Sequence, residues 1–252
     1  MLSNKIIRHL SRHMLKNKNL LLLFLLIAGS LLNDSQAQNV QKKFYGTTGG
    51  EFIFSFADVE YDDQNINTNM RFTLFFHAGH YVHYDFAERL GAFSGLGIRN
   101  VGYITKTDDI KTKRRSYMLG MPLALKIGNL SENNYMFFGA EYEWLFNYKQ
   151  KLFEDGTKSK YNEWFSERTN TFLPSVFVGI QFPIGLNVKV KYYLENFMNQ
   201  DYRGEEFGVL VNYENWETQI IYVSLSFNLK KIFLDDIFQE RNNSVNTNFA
   251  TR

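Results

Sequence analysis

Read in steps of two, the stretch Leu186 to Glu195 separates into Leu186, Val188, Val190, Tyr192 and Leu194 on one side and Asn187, Lys189, Lys191, Tyr193 and Glu195 on the other. From about residue 50 to residue 229 the chain repeats this theme, an alternating segment and then a polar break, with no sustained helical period. The pattern predicts eight strands. The first, 50–58, sets Phe52, Phe54 and Phe56 against Glu51, Ile53 and Ser55. The second starts at Met70, with Phe72, Leu74 and Phe76 opposite Arg71, Thr73 and His77, and reaches about Tyr84. The third, 90–104, sets Leu96 and Ile98 against Gly95, Gly97 and Arg99, and a phase slip near Asn100 predicts a β-bulge there. The fourth, 117–128, and the fifth, 136–148, alternate most cleanly. The sixth and seventh form a hairpin turning at Pro183-Ile184-Gly185, and the eighth covers 219–229. Long polar connections are expected at 59–69, 105–115, 149–170 and 197–216, and tight turns between the fourth and fifth and the sixth and seventh strands.

Alternation alone fits both a soluble barrel with an apolar core and a barrel that crosses a membrane. Three features favour the membrane. The polar face is rich in glycine and in opposite charges, Arg71, Arg99, Lys126, Lys189 and Lys191 against Glu51, Glu141, Glu143 and Glu195, which suits the filled interior of a narrow barrel. Aromatic residues of the apolar face gather at one end of nearly every strand, Phe56, Phe72, Tyr103, Tyr117, Trp144, Phe146, Phe172 and Tyr192, as a girdle at a lipid interface would. Long loops at one end and short turns at the other complete the asymmetry of outer-membrane barrels. The expected fold is therefore all-β, a transmembrane antiparallel up-and-down β-barrel of eight strands, with ten as the alternative if Phe207 to Tyr213 joins as one of an extra pair. Hydrocarbon leaves no backbone group unpaired, so the sheet must close on itself. Pro122 removes one ladder donor and predicts a local bulge.

Composition and the N-terminus then fix the compartment. The 252 residues include 24 Phe and 15 Tyr but 3 Pro and no Cys, so packing and backbone pairing must carry the fold without disulfides. Lys5, Arg8, Arg12, Lys16 and Lys18 precede an apolar run from Leu20 to Leu32 and then Ser35-Gln36-Ala37, the pattern of a signal peptide over 1–37, cleaved near Ala37. That segment takes five of the 28 Lys/Arg and one of the 26 Asp/Glu, and the remaining 23 bases against 25 acids disfavour a nucleic-acid partner. The remaining expected divisions are a periplasmic N-terminal segment at 38–49, the barrel at 50–229 and a periplasmic tail at 230–252.

The runs Gly95-Leu96-Gly97-Ile98-Arg99-Asn100-Val101-Gly102 and Leu119-Gly120-Met121-Pro122-Leu123-Ala124-Leu125-Lys126, with the aromatic final strand, resemble the porin-like outer membrane protein β-barrel domain proteins of Gram-negative bacteria. In architecture the chain is similar to OmpA/OmpX-type small barrels. The resemblance covers about residues 45–230 and implies fold and compartment; it says almost nothing of activity. Such barrels often end on the aromatic of the last strand, whereas here Lys230 to Arg252 follow.

Candidate chemistry is sparse. His77, His80, His83 and Asp85 lie close in sequence, and His83 with Asp85 could form a base and its orienting carboxylate for a lipid hydrolase, but no partner serine is identifiable. A structural histidine cluster is the plainer reading, and no metal site or cofactor is expected. Glu141 and Glu143 could be read as a glycosidase couple, yet in a narrow lumen they are expected to pair with Arg71, Arg99, Lys126, Lys189 and Lys191. The first polar connection is acidic (Asp58, Glu60, Asp62, Asp63) and the second basic (Lys111, Lys113, Arg114, Arg115), a solvated surface or a contact with lipopolysaccharide or a partner. Two functional classes follow: a non-enzymatic outer-membrane barrel with a structural, adhesive or small-solute-path role, and, as the alternative, a barrel enzyme acting on lipids. Expected partners are outer-membrane lipid and lipopolysaccharide, and the barrel-assembly machinery during biogenesis; a monomer is the favoured state.

Overall fold

The computed structural model describes residues 43–233 apart from Phe75. The expected signal peptide and the tail beyond Phe233 lie outside the described residues. The strands are β1 (Lys43–Tyr61), β2 (Gln64–Ile66), β3 (Thr68–Asn69), β4 (Arg71–Thr73), β5 (Ala78–Asp85), β6 (Leu90–Thr107), β7 (Ile110–Asn129), β8 (Asn134–Glu154), β9 (Thr157–Trp164), β10 (Phe172–Gln181), β11 (Leu186–Tyr193), β12 (Arg203–Glu206), β13 (Val209–Asn212) and β14 (Trp216–Phe233). Pairing runs β1, β5, β6, β7, β8, β10, β11, β14 and back to β1, antiparallel throughout. With β2 to β5 counted as one interrupted strand, the described residues form a ring of eight members with no free edge among them, an all-β up-and-down barrel. Because β1 begins at Lys43, residues 43–49 belong to the wall and not to a preceding segment.

Three of the expected long loops are strands. Asp62-Asp63, Asp108-Asp109 and Asp155-Gly156 each turn the chain in two residues, with left-handed φ of 47° and 60° at Asp62 and Asp63, 51° at Asp108, and 47° and 74° at Asp155 and Gly156. Ladders such as Thr107↔Ile110 and Glu154↔Thr157 follow directly from these turns. Polar residues on both faces hid these strands from a reading based on apolar alternation. The fourth connection carries the separate β12–β13 hairpin, so Phe207 to Tyr213 adds no strand to the ring.

The bulges also fall elsewhere than expected. β6 keeps one register against β7 from Leu90 to Thr107, so no slip occurs at Asn100. At Pro122 the ladder skips two pairs, between Ser94↔Leu123 and Gly97↔Gly120, without changing register, and the Ser94 hydroxyl donates to the Pro122 carbonyl at 2.7 Å. Register shifts occur instead at Thr48/Gly49 in the β1–β14 pair and at Tyr117/Met118 in the β7–β8 pair.

The outer face carries exposed apolar residues down each strand, Leu123 at 69% and Met121 at 59% among them. The interior is layered. Phe93, Ala124, Phe137 and Phe177 pack near the short turns. Ile53, Val101, Met118, Leu145, Leu173 and Ile220 form an apolar layer toward the long-loop end, where Phe197 and Met198 of the fourth connection cap it. Between these layers sit the charges.

Candidate functional site: the charged lumen, the seam and the rim

Neighbouring strands bring Glu51 from β1, Arg99 from β6, Glu141 and Glu143 from β8, and Lys189 and Lys191 from β11 into one cluster. Each lies on the inward set of its strand, because inward and outward residues alternate along a pleated sheet. Arg99 Nε meets Glu51 Oε2 at 2.9 Å, and its Nη1 contacts Glu141 Oε1 and lies 3.3 Å from Glu143 Oε1. Lys189 Nζ is 2.7 Å from Glu51 Oε1, while Lys191 Nζ lies 2.5 Å from Glu141 Oε2 and 3.1 Å from Glu143 Oε2. Tyr81 accepts a hydrogen bond from Arg99 Nη2 at 2.8 Å. Three bases thus face three acids, and the cluster is neutral. Arg99 is only 2% exposed, and isolated charges at that depth would cost several kcal/mol each. Gly120 makes the cluster possible, since a Cβ there would collide with the Glu141 carboxylate and Arg99. Toward the short turns lies a cavity of about 60 Å³ lined in part by Tyr81, Phe93, Arg99 and Lys189, room for a few waters.

Arg99, Glu141, Glu143, Lys189 and Lys191 meet in this cluster together with Glu51. Two other expected members are not in the cluster. Lys126 pairs instead with Asp85 and donates to the Tyr45 hydroxyl at 3.1 Å, nearer the short turns. Arg71 lies in the wall, with Nη1 and Nη2 donating to the Asn100 carbonyl at 3.1 Å and side-chain oxygen at 2.7 Å. Glu195 is exposed beyond the end of β11.

The reason for the second displacement is a seam. The second barrel strand breaks between Thr73 and Ala78, with Phe76 at φ 66°, and its register against β1 differs on either side of the break. Side chains span the gap from β1 to β6. The Ser55 hydroxyl donates to the Gly102 carbonyl at 2.8 Å, and the His77 ring sits between the Glu51 carbonyl (2.8 Å) and the Asn100 carbonyl (3.3 Å). A neutral imidazole can donate to only one of these two acceptors at a time. The seam holds polar groups of the backbone that a continuous strand would have paired. Sequence alternation missed it because residues 70–78 keep their period while the pairing slips.

His83 and His80 are structural by contact. His83 stacks on Tyr45 with centroids 4.7 Å apart and meets the Thr47 hydroxyl at 2.9 Å, whereas Asp85 is committed to Lys126. His80 faces outward beside the Thr48 hydroxyl at 2.9 Å.

Of the expected girdle, Phe72, Tyr117, Trp144, Phe146, Phe172 and Tyr192 lie on the outer face. Stacks of Tyr142 on Phe172 (5.2 Å), Trp144 on Phe165 (5.8 Å) and Phe146 on Trp164 (5.9 Å) extend it. Tyr103 does not belong to it. With β6 in unbroken register it shares the inward face with Arg99 and Val101, is 1% exposed, and accepts a hydrogen bond from Trp216 Nε1 at 3.1 Å.

At the long-loop end Glu206, on the β12–β13 hairpin, reaches into the mouth. It accepts hydrogen bonds from Tyr213 and from Gln150 at 3.0 Å and lies 3.5 Å from Arg168 and 4.0 Å from Arg114. Burial opposes the Arg114 charge, yet the surrounding Tyr103, Tyr148, Tyr213 and Glu206 hold its guanidinium above the ordinary value. Arg114 also lies 4.8 Å over the Trp216 ring. So Arg114 plugs the mouth, while its neighbours Lys113 and Arg115 alternate to the outside.

No protein-family model and no curated protein sequence matches the chain. Among solved structures it is similar to the attachment invasion locus protein Ail of Yersinia pestis, in complex with the heparin analogue sucrose octasulfate, at 11% identity over 76% of this chain and 98% of that one, with a TM-score of 0.34. It is also similar to Neisserial surface protein A, at 10% identity over 74% and 97%, TM-score 0.34, and to the outer membrane protein OprG of Pseudomonas aeruginosa, at 12% over 79% and 100%, TM-score 0.35. At these values the likeness carries no weight for function, and the fold stands on the chain's own closed ring.

Proposed function

We propose that this chain is an outer-membrane β-barrel with a non-catalytic role in envelope structure or surface adhesion, and that its lumen is closed to solutes. The observation that carries this reading is the neutral cluster of three bases and three acids across the interior, with apolar layers above and below it and Glu206, Arg114 and Arg168 tied in the mouth. An apolar outer face against a charged core is the arrangement hydrocarbon selects and water does not. The carboxylates a hydrolase would need are each bound to a cation, which supports the non-catalytic reading over a lipid-modifying enzyme. Export through a signal peptide over 1–37, insertion by the barrel-assembly machinery, and life as a monomer among outer-membrane lipids belong to the same reading.

The test is envelope fractionation followed by planar-bilayer recording of the purified chain. Recovery in the outer-membrane fraction with no steady conductance is the expected result. Recovery as a soluble periplasmic protein overturns the membrane assignment, and a large steady single-channel conductance overturns the closed lumen. A change in lipid acylation on deleting the gene would favour the enzyme.

A further inference from the structure

The outer face beyond the girdle has an unusual charge. Above Tyr117, residues Lys111, Lys113 and Arg115 of β7 point outward, as do Lys149 and Lys151 of β8 and Lys158 and Lys160 of β9. The ladders place these side chains directly opposite one another: Lys113 against Lys151 and Lys151 against Lys160, Arg115 against Lys149, and Lys111 against Lys106 of β6. Eight cations thus occupy three adjacent rows of one sheet face. Those rows contain no carboxylate; Asp108, Asp109 and Asp155 sit in the two turns at their upper edge, and Glu154 ends β8 beside the second. None of the eight takes part in an ion pair within 4.0 Å among the described residues; the acids that form such pairs are held by other cations. Burial, and then the charges of Lys111, Arg71 and Lys158, pull the Lys113 amine below the ordinary lysine range. Like charges placed directly opposite across strands destabilise a sheet, so the arrangement calls for a counter-charge from outside the chain.

Where that charge would sit is shaped by the seam. Outside the break between Thr73 and Ala78 lies a groove of about 600 Å³. One side of it is cationic, with Lys113, Arg115, Lys151 and the buried Arg71 guanidinium, whose hydrogen bonds go to Asn100 and not to any carboxylate. The other side is apolar, with Phe72, Leu74, Phe76 and Tyr117 on the lipid-facing surface. Arg115 stands two residues above Tyr117, about 7 Å at strand rise, which is headgroup height if the aromatics mark the interface. A phosphate on the cations with an acyl chain along the aromatics matches both sides.

Resting on the membrane-barrel reading, we infer that the groove at the seam and the lysine rows beside it bind phosphate-bearing lipid headgroups of the surrounding leaflet. Arg71 and Arg115 supply forked donors suited to phosphate oxygens, and the rows of lysine supply a diffuse attraction that enriches such lipids around this sector of the barrel.

The test uses the full mature chain reconstituted in phosphatidylcholine vesicles with and without added phosphatidate. Insertion is scored first in phosphatidylcholine alone, by the shift in gel mobility between heated and unheated protein and by protease protection. Failure there condemns the membrane reading itself. For inserted protein, the phosphatidate retained per barrel after detergent extraction is measured against its bulk fraction. We expect clear enrichment for the wild type, and about a tenfold or greater loss of it in Arg71→Gln/Lys113→Gln/Lys151→Gln. Because Arg71 helps close the seam, Lys113→Gln/Lys149→Gln/Lys151→Gln, which leaves the seam intact, provides an independent arm and should lose most of the enrichment too. Equal enrichment in wild type and both variants overturns the inference. So does inorganic phosphate displacing the lipid at comparable concentration, since the site would then take free phosphate, or a sulfated dextran binding more tightly than phosphatidate, since the surface would then serve a soluble polyanion.

Discussion

The barrel handles charge in two opposite ways within a few strands. In the lumen three bases and three acids neutralise one another at contact distance, with Tyr81 taking a further guanidinium donor. On the outer rim of β6 to β9 eight cations are laid opposite one another in rows that hold no acid. Depth explains the difference. A group sealed from water must find its counter-charge within the chain, or its desolvation penalty dominates. A group at the rim can leave that task to solvent, salt or another molecule, at a cost of only a few tenths of a kcal/mol. The lumen is therefore a stability device, and the rim is where we infer that a partner supplies the counter-charge.

The sharpest way to break this contrast is to unbalance the lumen. Glu141→Ala with Glu143→Ala leaves Arg99 and Lys191 without their main partners and should lower stability in phosphatidylcholine vesicles by about 3 to 5 kcal/mol, read as a shift in urea unfolding. The balanced change Glu141→Gln with Lys191→Gln removes one charge of each sign and should cost much less. If the two variants unfold alike, neutrality is not what the cluster provides.

The next test moves a lysine by one residue. Lys189 faces inward to Glu51, while Val188 before it faces lipid opposite Leu225. Val188→Lys or Leu225→Lys should cost about 2 to 4 kcal/mol per site near the midplane, measured as the folded fraction on insertion. A protein that tolerated both would have its apolar face in some other environment than hydrocarbon.

Between lumen and rim lies the mouth, where Arg168 pairs with a partly exposed Glu163 at 2.5 Å. Burial alone would raise the Glu163 carboxyl, but hydrogen bonds from Ser166 and Tyr161 and the Arg168 charge outweigh it and hold the group below its ordinary value. A depressed carboxyl contributes stability above its unfolded value and loses it as pH falls through the folded one. Protection of residues 165–171 against proteolysis should therefore be flat from neutral pH and decline only below about pH 4, by about 1 kcal/mol or less after solvent screening. Glu163→Gln should flatten that profile, and an unchanged decline would assign it to another acid.

Much of this was legible in the sequence, and the exceptions share a cause. A two-residue period tells inward from outward as long as the register holds, so Arg99, Glu141, Lys189 and Lys191 were placed on one face from alternation alone. It does not say which strands stand opposite at a given height, so Lys126 was grouped with Glu141 although it lies beside Asp85. Nor does it reveal a slip in pairing. The break after Thr73 puts Arg71 in the wall, while the unbroken register of β6 puts Tyr103 inside. The rim strands were invisible for a different reason: with charges outward and Thr105, Thr112, Arg114, Ser116 and Gln150 inward, neither face is apolar, and only the left-handed turn residues Asp62, Asp108 and Asp155 mark them.

The smallest effect is the most discriminating for the rim. Lys151 stands between Lys113 and Lys160 in one row, so Lys151→Glu exchanges two like-charge neighbours for two opposite ones. In phosphatidylcholine vesicles this should stabilise the barrel by about 0.5 kcal/mol, within the range of cross-strand pairs, and the gain should fade in high salt. In vesicles containing phosphatidate the sign should reverse, because the wild-type row recruits anionic headgroups that the variant repels. Thermal unfolding of both proteins in both lipids gives four midpoints, and the inference lives in their double difference. Stabilisation of the same size in both lipids would mean that the rows are merely crowded lysines; a reversal would mean that the barrel carries an unmatched charge on its rim because the surrounding leaflet supplies the match.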